Sequence, residues 1–162
     1  MAESEMVKVR FQLPSGYETE TVWADRVSPD QFRIENSPFF MNGVSFQDIV
    51  RAKEADGFFE FEEVVTRGGH STYRIFMQGA RTLQDDEFRH YWGPISALGA
   101  TYENGNGRYI TVDIPPGKNV AAIYKLLEAG EEVGVWAFDE GHFEPEADSA
   151  RKSESWGTRL DW

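Results

Sequence analysis

Cysteine is absent from this chain of 162 residues. Its absence excludes disulfide bonds, zinc sites built on thiolates and catalysis by a thiol. Long apolar runs are missing too, and the N-terminal residues Met-Ala-Glu-Ser-Glu carry acids in place of the apolar stretch of a signal peptide. We therefore expect neither a membrane-spanning helix nor a secretory signal, and we predict a cytoplasmic location.

Basic residues are few. The chain has 16 Lys and Arg against 28 Asp and Glu, which gives a net charge of −12. Such a surface repels nucleic-acid phosphates and anionic membranes, so we predict that the protein binds neither. The charge favours a basic protein partner, because opposite charges accelerate association. An acidic surface also keeps many proteins soluble without any further role, and this interpretation stays open.

Motifs of common catalytic and cofactor sites are also missing. None of the three histidines has H-x-H or H-E-x-x-H spacing, and no glycine-rich phosphate loop joins a strand to a helix. One acidic cluster could hold a hard cation through its oxygens, although acids at the end of a strand are more often solvated. It comprises Asp139, Glu140, His142 and Glu144. We predict no cofactor and no metal ion, and the sequence identifies no catalytic residue.

Residues 1–67 have the sequence pattern of several short strands. Apolar and polar residues alternate over residues 6–13, as in a half-buried strand. Further strands are predicted at 18–24, 32–34, 48–53 and 58–65, separated by turn residues. Pro38 interrupts the pattern after the third strand because proline has no N–H for a central ladder. This spacing predicts a small five-stranded barrel of SH3-like shape.

Arg67-Gly68-Gly69 is the predicted boundary between this unit and a second one at residues 68–145. The second unit begins with a strand at 72–77. We expect Thr82 to cap the following helix, with Asp85 completing a capping box. Gly93-Pro94 should kink or split that helix, and Gly99 should end it.

The rest of the second unit predicts a hairpin, a helix and a strand. Asn104-Gly105-Asn106-Gly107 is a strong turn between strands at 101–103 and 108–114. Asn119 should cap a second helix, Gly130 should close it, and the last strand covers 135–138. The order strand, helix, hairpin, helix, strand is that of a ferredoxin-like unit. The predicted fold class is therefore α+β.

Residues 146–162 are polar and acid-rich and have no periodicity, which predicts a mobile tail. Two large apolar residues, Trp156 and Trp162, lie within it. Either they dock back onto the body of the protein, or they anchor a partner, a role in which Trp is favoured.

Two segments concentrate side chains suited to binding. In the first, His70 follows two glycines and precedes Ser71. A histidine beside a hydroxyl can act as a base, contact a partner, or bond a backbone carbonyl; neighbours on a strand point to opposite faces, however. The second segment, Phe39-Phe40-Met41, is either core or a hydrophobic docking patch.

The sequence resembles the uncharacterised bacterial DUF4265 family over roughly residues 6–143. In the first half the resemblance is carried by Trp23-Ala24 and by residues 33–40, 43–50 and 69–74. In the second half it is carried by residues 97–99, 112–115 and 139–141. The family implies no established activity and no catalytic residues, so the resemblance supports the fold prediction above all.

Three functional hypotheses follow. The first is a non-catalytic immunity or inhibitor protein that neutralises a basic toxin enzyme, such as a nuclease. The second is a small-ligand sensor or scaffold with an apolar ligand between the two units. The third is an enzyme that pairs His70 with a carboxylate such as Asp48 in that cleft. The predicted partner-binding residues are His70, Tyr73, Arg74, Phe39, Phe40, Asp139, Glu140, Trp156 and Trp162.

Overall fold

A computed structural model describes residues 5–144 of the chain. Its first half contains five strands: β1 Met6–Gln12, β2 Thr19–Ser28, β3 Gln31–Ile34, β4 Ile49–Ala55 and β5 Phe58–Thr66. Successive strands pair antiparallel, and a parallel pairing of β1 with β5 closes them into a barrel. The five predicted strands are all present, and β2 runs beyond its predicted end at Ala24 to Ser28.

Alternation along the strands fills this barrel. Every second side chain of a strand points to the same face, so one set from each strand meets inside. Phe32 and Phe59 are in ring contact there, with centroids 4.5 Å apart. The buried cluster comprises Val9, Phe11, Val22, Ala24, Phe32, Ile34, Val44, Val50, Ala52 and Phe59.

The second half is a four-stranded sheet with two helices. Its elements are β6 Ser71–Met77, α1 Asp86–Ala97, β7 Thr101–Asn104, β8 Tyr109–Ile114, α2 Val120–Glu132 and β9 Trp136–His142. The strands lie in the order β7-β8-β6-β9, and all neighbours are antiparallel. The fold is therefore mixed α+β, as predicted.

The two helices cover one face of this sheet. Phe88, Trp92 and Ile95 are the buried side of α1. The buried residues of α2 pack into the same cluster as Tyr73 and Ile75 of β6. This cluster and the one inside the barrel are separate, and they lie on either side of Arg67-Gly68-Gly69 in the sequence. Division of the chain at this point stays a prediction.

The predicted start of α1 was wrong, and so was the alternative that Gly93-Pro94 splits the helix in two. The helix begins at Asp86, and Thr82 instead closes a turn in which its backbone N–H donates to the Asp85 carboxylate at 3.1 Å. The helix is also continuous through Pro94. Gly93 and Pro94 face solvent, whereas the buried neighbours Trp92 and Ile95 hold both parts of the helix on the sheet. Packing therefore outweighs the donor that proline lacks.

The predicted end of α2 at Gly130 was wrong as well. The helix continues to Glu132, and a Cβ on Gly130 would lie 2.3 Å from Cε2 of Trp136. Glycine is therefore required by the indole ring rather than by the end of the helix. Other predicted termini are confirmed: Asn119 Oδ1 accepts a hydrogen bond from Ala122 N at 3.0 Å, and Gly99 follows α1 with φ +103°.

Strand β9 extends past its predicted end at Phe138 to His142. Neither helix within residues 5–144 is long and apolar enough to cross a membrane. The predicted tail at 146–162, with Trp156 and Trp162, lies outside the described residues.

Candidate functional site

The loop at residues 35–48, between β3 and β4, lies against the sheet face opposite the helices. Glu20 of β2 holds its middle, because its carboxylate accepts backbone hydrogen bonds from three consecutive residues of the loop. The donors are Phe39 N at 2.5 Å, Phe40 N at 3.0 Å and Met41 N at 2.8 Å. A carboxylate with three such donors fixes the path of the Phe39-Phe40-Met41 segment.

Two further carboxylates fix the ends of this loop. Glu103 of β7 accepts a hydrogen bond from Ser37 N at 2.7 Å. Asp48, which is fully buried, accepts from Ser45 N at 2.9 Å and from Gly68 N at 2.9 Å, and it pairs with Arg67 at 3.0 Å. The loop is thus bound to the barrel, to the sheet and to the connection between them.

Arg74 joins the sheet to the same loop from the centre of β6. Its side chain is buried, and its guanidinium donates to Asn42 Oδ1 at 2.6 Å and to the carbonyl of Met41. Gly141 leaves room for it, because a Cβ there would lie 3.0 Å from Arg74 Nη2. Arg74 therefore supports the loop from beneath and does not face a partner.

Tyr73 points to the other face of β6, into the helix-covered core, and is fully buried. Its hydroxyl donates to Glu140 Oε1 at 2.7 Å. Tyr73 and Glu140, both predicted to contact a partner, are thus bonded to each other within the chain. Tyr73 has no exposed surface to offer to a partner.

Four aromatic side chains meet where this loop crosses β6 and β8, and we call them the aromatic patch: Phe39, Phe40, Phe76 and Tyr109. Phe40 is 57% exposed and stacks on Tyr109, with centroids 5.5 Å apart and planes 14° apart. Tyr109 also contacts Phe76, with centroids 4.4 Å apart, and its hydroxyl donates to the Phe39 carbonyl. The exposed ring of the patch is therefore that of Phe40, and it stacks on Tyr109, which other contacts hold in place.

Carboxylates surround the base of the patch. The pKa of Tyr109 is raised to about 12, chiefly by burial; Arg74 opposes the rise, and the nearby Asp139 and Glu20 carboxylates add to it. The pKa of Asp139 is itself raised by burial, which outweighs the attraction of Arg74. The site therefore combines aromatic surface with acidic groups, the combination that suits a basic partner.

The structure brings together Phe39, Phe40 and Asp139 from the predicted partner-binding residues. Glu20, Phe76 and Tyr109 were missed. The pairing of β6 with β8 places Phe76 directly opposite Tyr109, on the face away from the helices. The alternation of side chains along both strands already places the two rings on this face, so the sequence alone could have identified them.

His70 lies on the other side of the loop and pairs with a carboxylate that the sequence analysis did not select. Its Nδ1 is 2.8 Å from Asp113 Oδ1, and its ring packs edge-on against Phe46. Pairing with Asp48 or with a backbone carbonyl was wrong, because Asp48 already binds the loop and Asp113 ends β8 beside His70. Ser71 does not join His70, since its hydroxyl accepts from Glu144 N at 3.0 Å.

A pocket of about 90 Å³ adjoins this pair, lined by Ser37, Phe46, Thr101, Tyr102, Glu103 and Asp113. Pockets for drug-sized ligands are several times larger, at about 300–1,000 Å³. Within residues 5–144, no group of three or more His, Asp or Glu side chains is arranged to hold a metal ion.

Residues 20–138 match the family model described as Domain of unknown function (DUF4265). The chain belongs to this family. The DUF4265 match includes the loop at 35–48 together with β6 and β8, and so it includes the whole aromatic patch.

A solved structure, titled "Novel crystal structure of a hypothetical protein from Neisseria gonorrhoeae", is similar to this DUF4265 chain. Its TM-score is 0.71 at 17% identity, and the alignment covers 88% of this chain and 99% of that one. At this identity the likeness shows the fold alone. No curated protein matches the chain.

Proposed function

We propose that this DUF4265 protein is a non-catalytic binding protein that neutralises a basic, nuclease-like toxin enzyme, as an immunity protein does. The observation that carries the proposal is the exposed Phe40 ring, stacked on Tyr109 and held by the hydrogen bonds of Glu20 to its loop. A large exposed aromatic ring held rigidly loses little conformational entropy on binding, which is the property of an interface anchor.

Charge supports the same proposal. Residues 5–144 contain 23 acidic and 13 basic residues, a formal charge of −10. The active site of a nuclease is basic where it binds phosphates, so exposed carboxylates of this protein would occupy that site in place of substrate. In this proposal Phe39 and Phe40 supply apolar contact, and a contribution from His70, Trp156 or Trp162 stays a prediction, as does the cytoplasmic location.

The test compares two variants in a pull-down from the native host at low salt. We expect the wild-type protein to capture a basic protein and Phe40→Ala to weaken that capture about tenfold or more, the loss typical of an interface anchor. Tyr17→Ala is the matched control, because Tyr17 is 94% exposed and lies outside the patch. Capture of no basic protein, or equal capture by both variants, would contradict the proposal.

We further propose that the barrel is SH3-like and that the four-stranded sheet with its helices is ferredoxin-like. The SH3-like assignment is supported by five short strands that close with a parallel contact between the first and the last. The ferredoxin-like assignment is supported by the βαββαβ unit, whose strands lie in the spatial order second, third, first, fourth, with all neighbours antiparallel. The separate buried clusters support two units at residues 1–67 and 68–145.

The His70–Asp113 pair favours a second candidate function, an enzyme. A carboxylate that binds Nδ1 orients an imidazole and leaves Nε2 to exchange a proton with a substrate. A small activated ester, p-nitrophenyl acetate, serves as the probe. We expect His70→Ala to abolish hydrolysis above the uncatalysed rate and Asp113→Asn to reduce it. Equal rates for wild type and His70→Ala would exclude this candidate for acyl transfer.

A further inference from the structure

A groove of about 600 Å³ opens on the outside of the barrel, away from the aromatic residues of the patch. Its volume is within the range of small-molecule sites. Strands β1 and β2 form its floor, and the β4–β5 turn forms one wall. The side chains that matter here are Lys8, Arg10, Thr21, Trp23, Asp56 and Phe58.

Strand pairing explains why these side chains share one surface. Lys8 lies opposite Trp23 and Arg10 lies opposite Thr21 in the β1–β2 ladder. The residues between them, such as Val9 and Val22, point into the barrel and are buried. Alternation therefore places the polar and aromatic set outside.

Two cations, Lys8 and Arg10, line the groove together with the Asp56 carboxylate, and a second carboxylate, that of Glu60, pairs with Arg10. Lys8 Nζ lies 5.5 Å from the centroid of Trp23 and forms no ion pair with any residue from 5 to 144. Arg10 is oriented by Glu60 at 2.8 Å and lies over the Phe58 ring at 3.9 Å. Asp56 is the acid that lines the groove. Lys8 is thus the cation of the groove that remains available to attract an anion.

The aromatic side chains add a second requirement. Trp23 is 47% exposed although it lies within a strand, so a large part of its indole ring faces the groove and solvent. Exposed rings beside cations favour a flat, apolar ring system that carries negative charge. The hydroxyl of Thr21 offers a hydrogen bond near the same position.

We propose that this groove binds a small planar anion, namely an aromatic ring system that bears a carboxylate or a phosphate. The ring stacks against Trp23, and the anionic group lies between Lys8 and Arg10. The site uses no residue of the aromatic patch.

The first experiment locates the ligand by NMR, with 2-naphthoate as the carboxylate probe and 2-naphthyl phosphate as the phosphate probe. We expect at least one of them to shift the indole N–H resonance of Trp23, assigned with Trp23→Phe, in a saturable way. Two control compounds each lack one interaction: the uncharged ring 2-naphthalenemethanol lacks the anionic group, and cyclohexanecarboxylate lacks the aromatic ring. Each should bind at least about tenfold more weakly than the naphthyl anions. The proposal is overturned if neither naphthyl anion gives saturation at millimolar concentration.

The second experiment measures affinity by calorimetry on variants. Lys8→Met should weaken binding of the better probe at least about threefold, the effect of one partly exposed charge, and Trp23→Leu should weaken it more. Lys125→Met, an exposed lysine on α2, is the matched control and should bind as the wild type does. Should Lys8→Met fail to fold, raising the salt concentration must weaken wild-type binding instead. Affinity unchanged by both Lys8→Met and salt would overturn the proposal.

Discussion

At the scale of single residues, His142 makes stability depend on pH. Burial lowers its pKa below the usual 6.5, and Arg67 lowers it further. The unfolded chain therefore binds a proton at a higher pH than the folded one. Stability is fully present above the unfolded pKa and is lost as the pH falls through 6.5 toward the folded pKa. We expect urea unfolding between pH 8 and pH 5 to show this decline in the wild type.

The decline should be smaller in His142→Gln. His90→Gln is the control, because His90 is exposed on α1. The assignment to His142 fails if His142→Gln keeps the full wild-type pH dependence.

Asp139 should have the opposite effect. Its pKa is raised above 3.8 by burial, and its Oδ1 has no hydrogen-bond partner among the described residues. The folded state therefore holds the proton longer than the unfolded state, and stability is lost as the pH rises through the folded pKa. We expect Asp139→Asn to raise the free energy of unfolding at pH 7, with the gain shrinking as the pH is lowered. A loss of stability at pH 7 would show that the attraction of Arg74 outweighs desolvation.

At the scale of helices and strands, Gly130 and Gly93 form a matched pair for testing packing against propensity. Ala is the better helix former by about 1 kcal/mol, so propensity alone predicts stabilisation at both positions. A Cβ at Gly130 would lie 2.3 Å from Trp136, whereas one at Gly93 would meet nothing within 4 Å. We expect Gly130→Ala to cost about 1–3 kcal/mol net and Gly93→Ala to add about 0.5–1 kcal/mol, both measured by chemical denaturation. Similar changes in the two variants would contradict this account.

The same two helices show what could be predicted locally. In the sequence, apolar residues recur at helical spacing in both segments, which predicts both helices and the side that each buries, because periodicity is a property of the segment itself. They are Phe88, Trp92 and Ile95 in the first and Val120, Ile123 and Leu127 in the second. Their termini were less predictable, since Trp136 decides the role of Gly130 and the sheet contacts of Trp92 and Ile95 carry α1 through Pro94. These contacts are made with the sheet, so the spacing of residues within each helix does not show them.

At the scale of the whole molecule, the candidate site depends on contacts between distant segments. Phe39 and Phe40 were noticed in the sequence, but Glu20 of the barrel and Tyr109 of the sheet hold them in place. Asp113 reaches His70 across the β6–β8 pairing. Such partners are chosen by the fold: alternation along β8 gives the face on which Tyr109 lies, but not the segment that it contacts.

Arg74 is the residue through which this long-range organisation is best tested. It is buried in β6 and holds the barrel-side loop through Asn42 and the Met41 carbonyl. Arg74→Met leaves these acceptors and the Asp139 carboxylate without their cation, at a cost of about 3–5 kcal/mol. We expect a lower melting temperature and separate melting of the two halves. The measurement is tryptophan fluorescence in two versions of the protein, one that keeps Trp23 of the barrel as its reporter and one that keeps Trp136 of the sheet.

Arg89→Met is the control, because Arg89 is exposed on α1 and its ion pair with Asp86 is solvated. A single transition with an unchanged midpoint in Arg74→Met would show that the loop is held without Arg74. In that case the other hydrogen bonds between the loop and the sheet, such as those of Ser37 N to Glu103 and of Gly43 N to the Gly141 carbonyl, would hold the loop, and the aromatic patch would keep its shape without the buried cation.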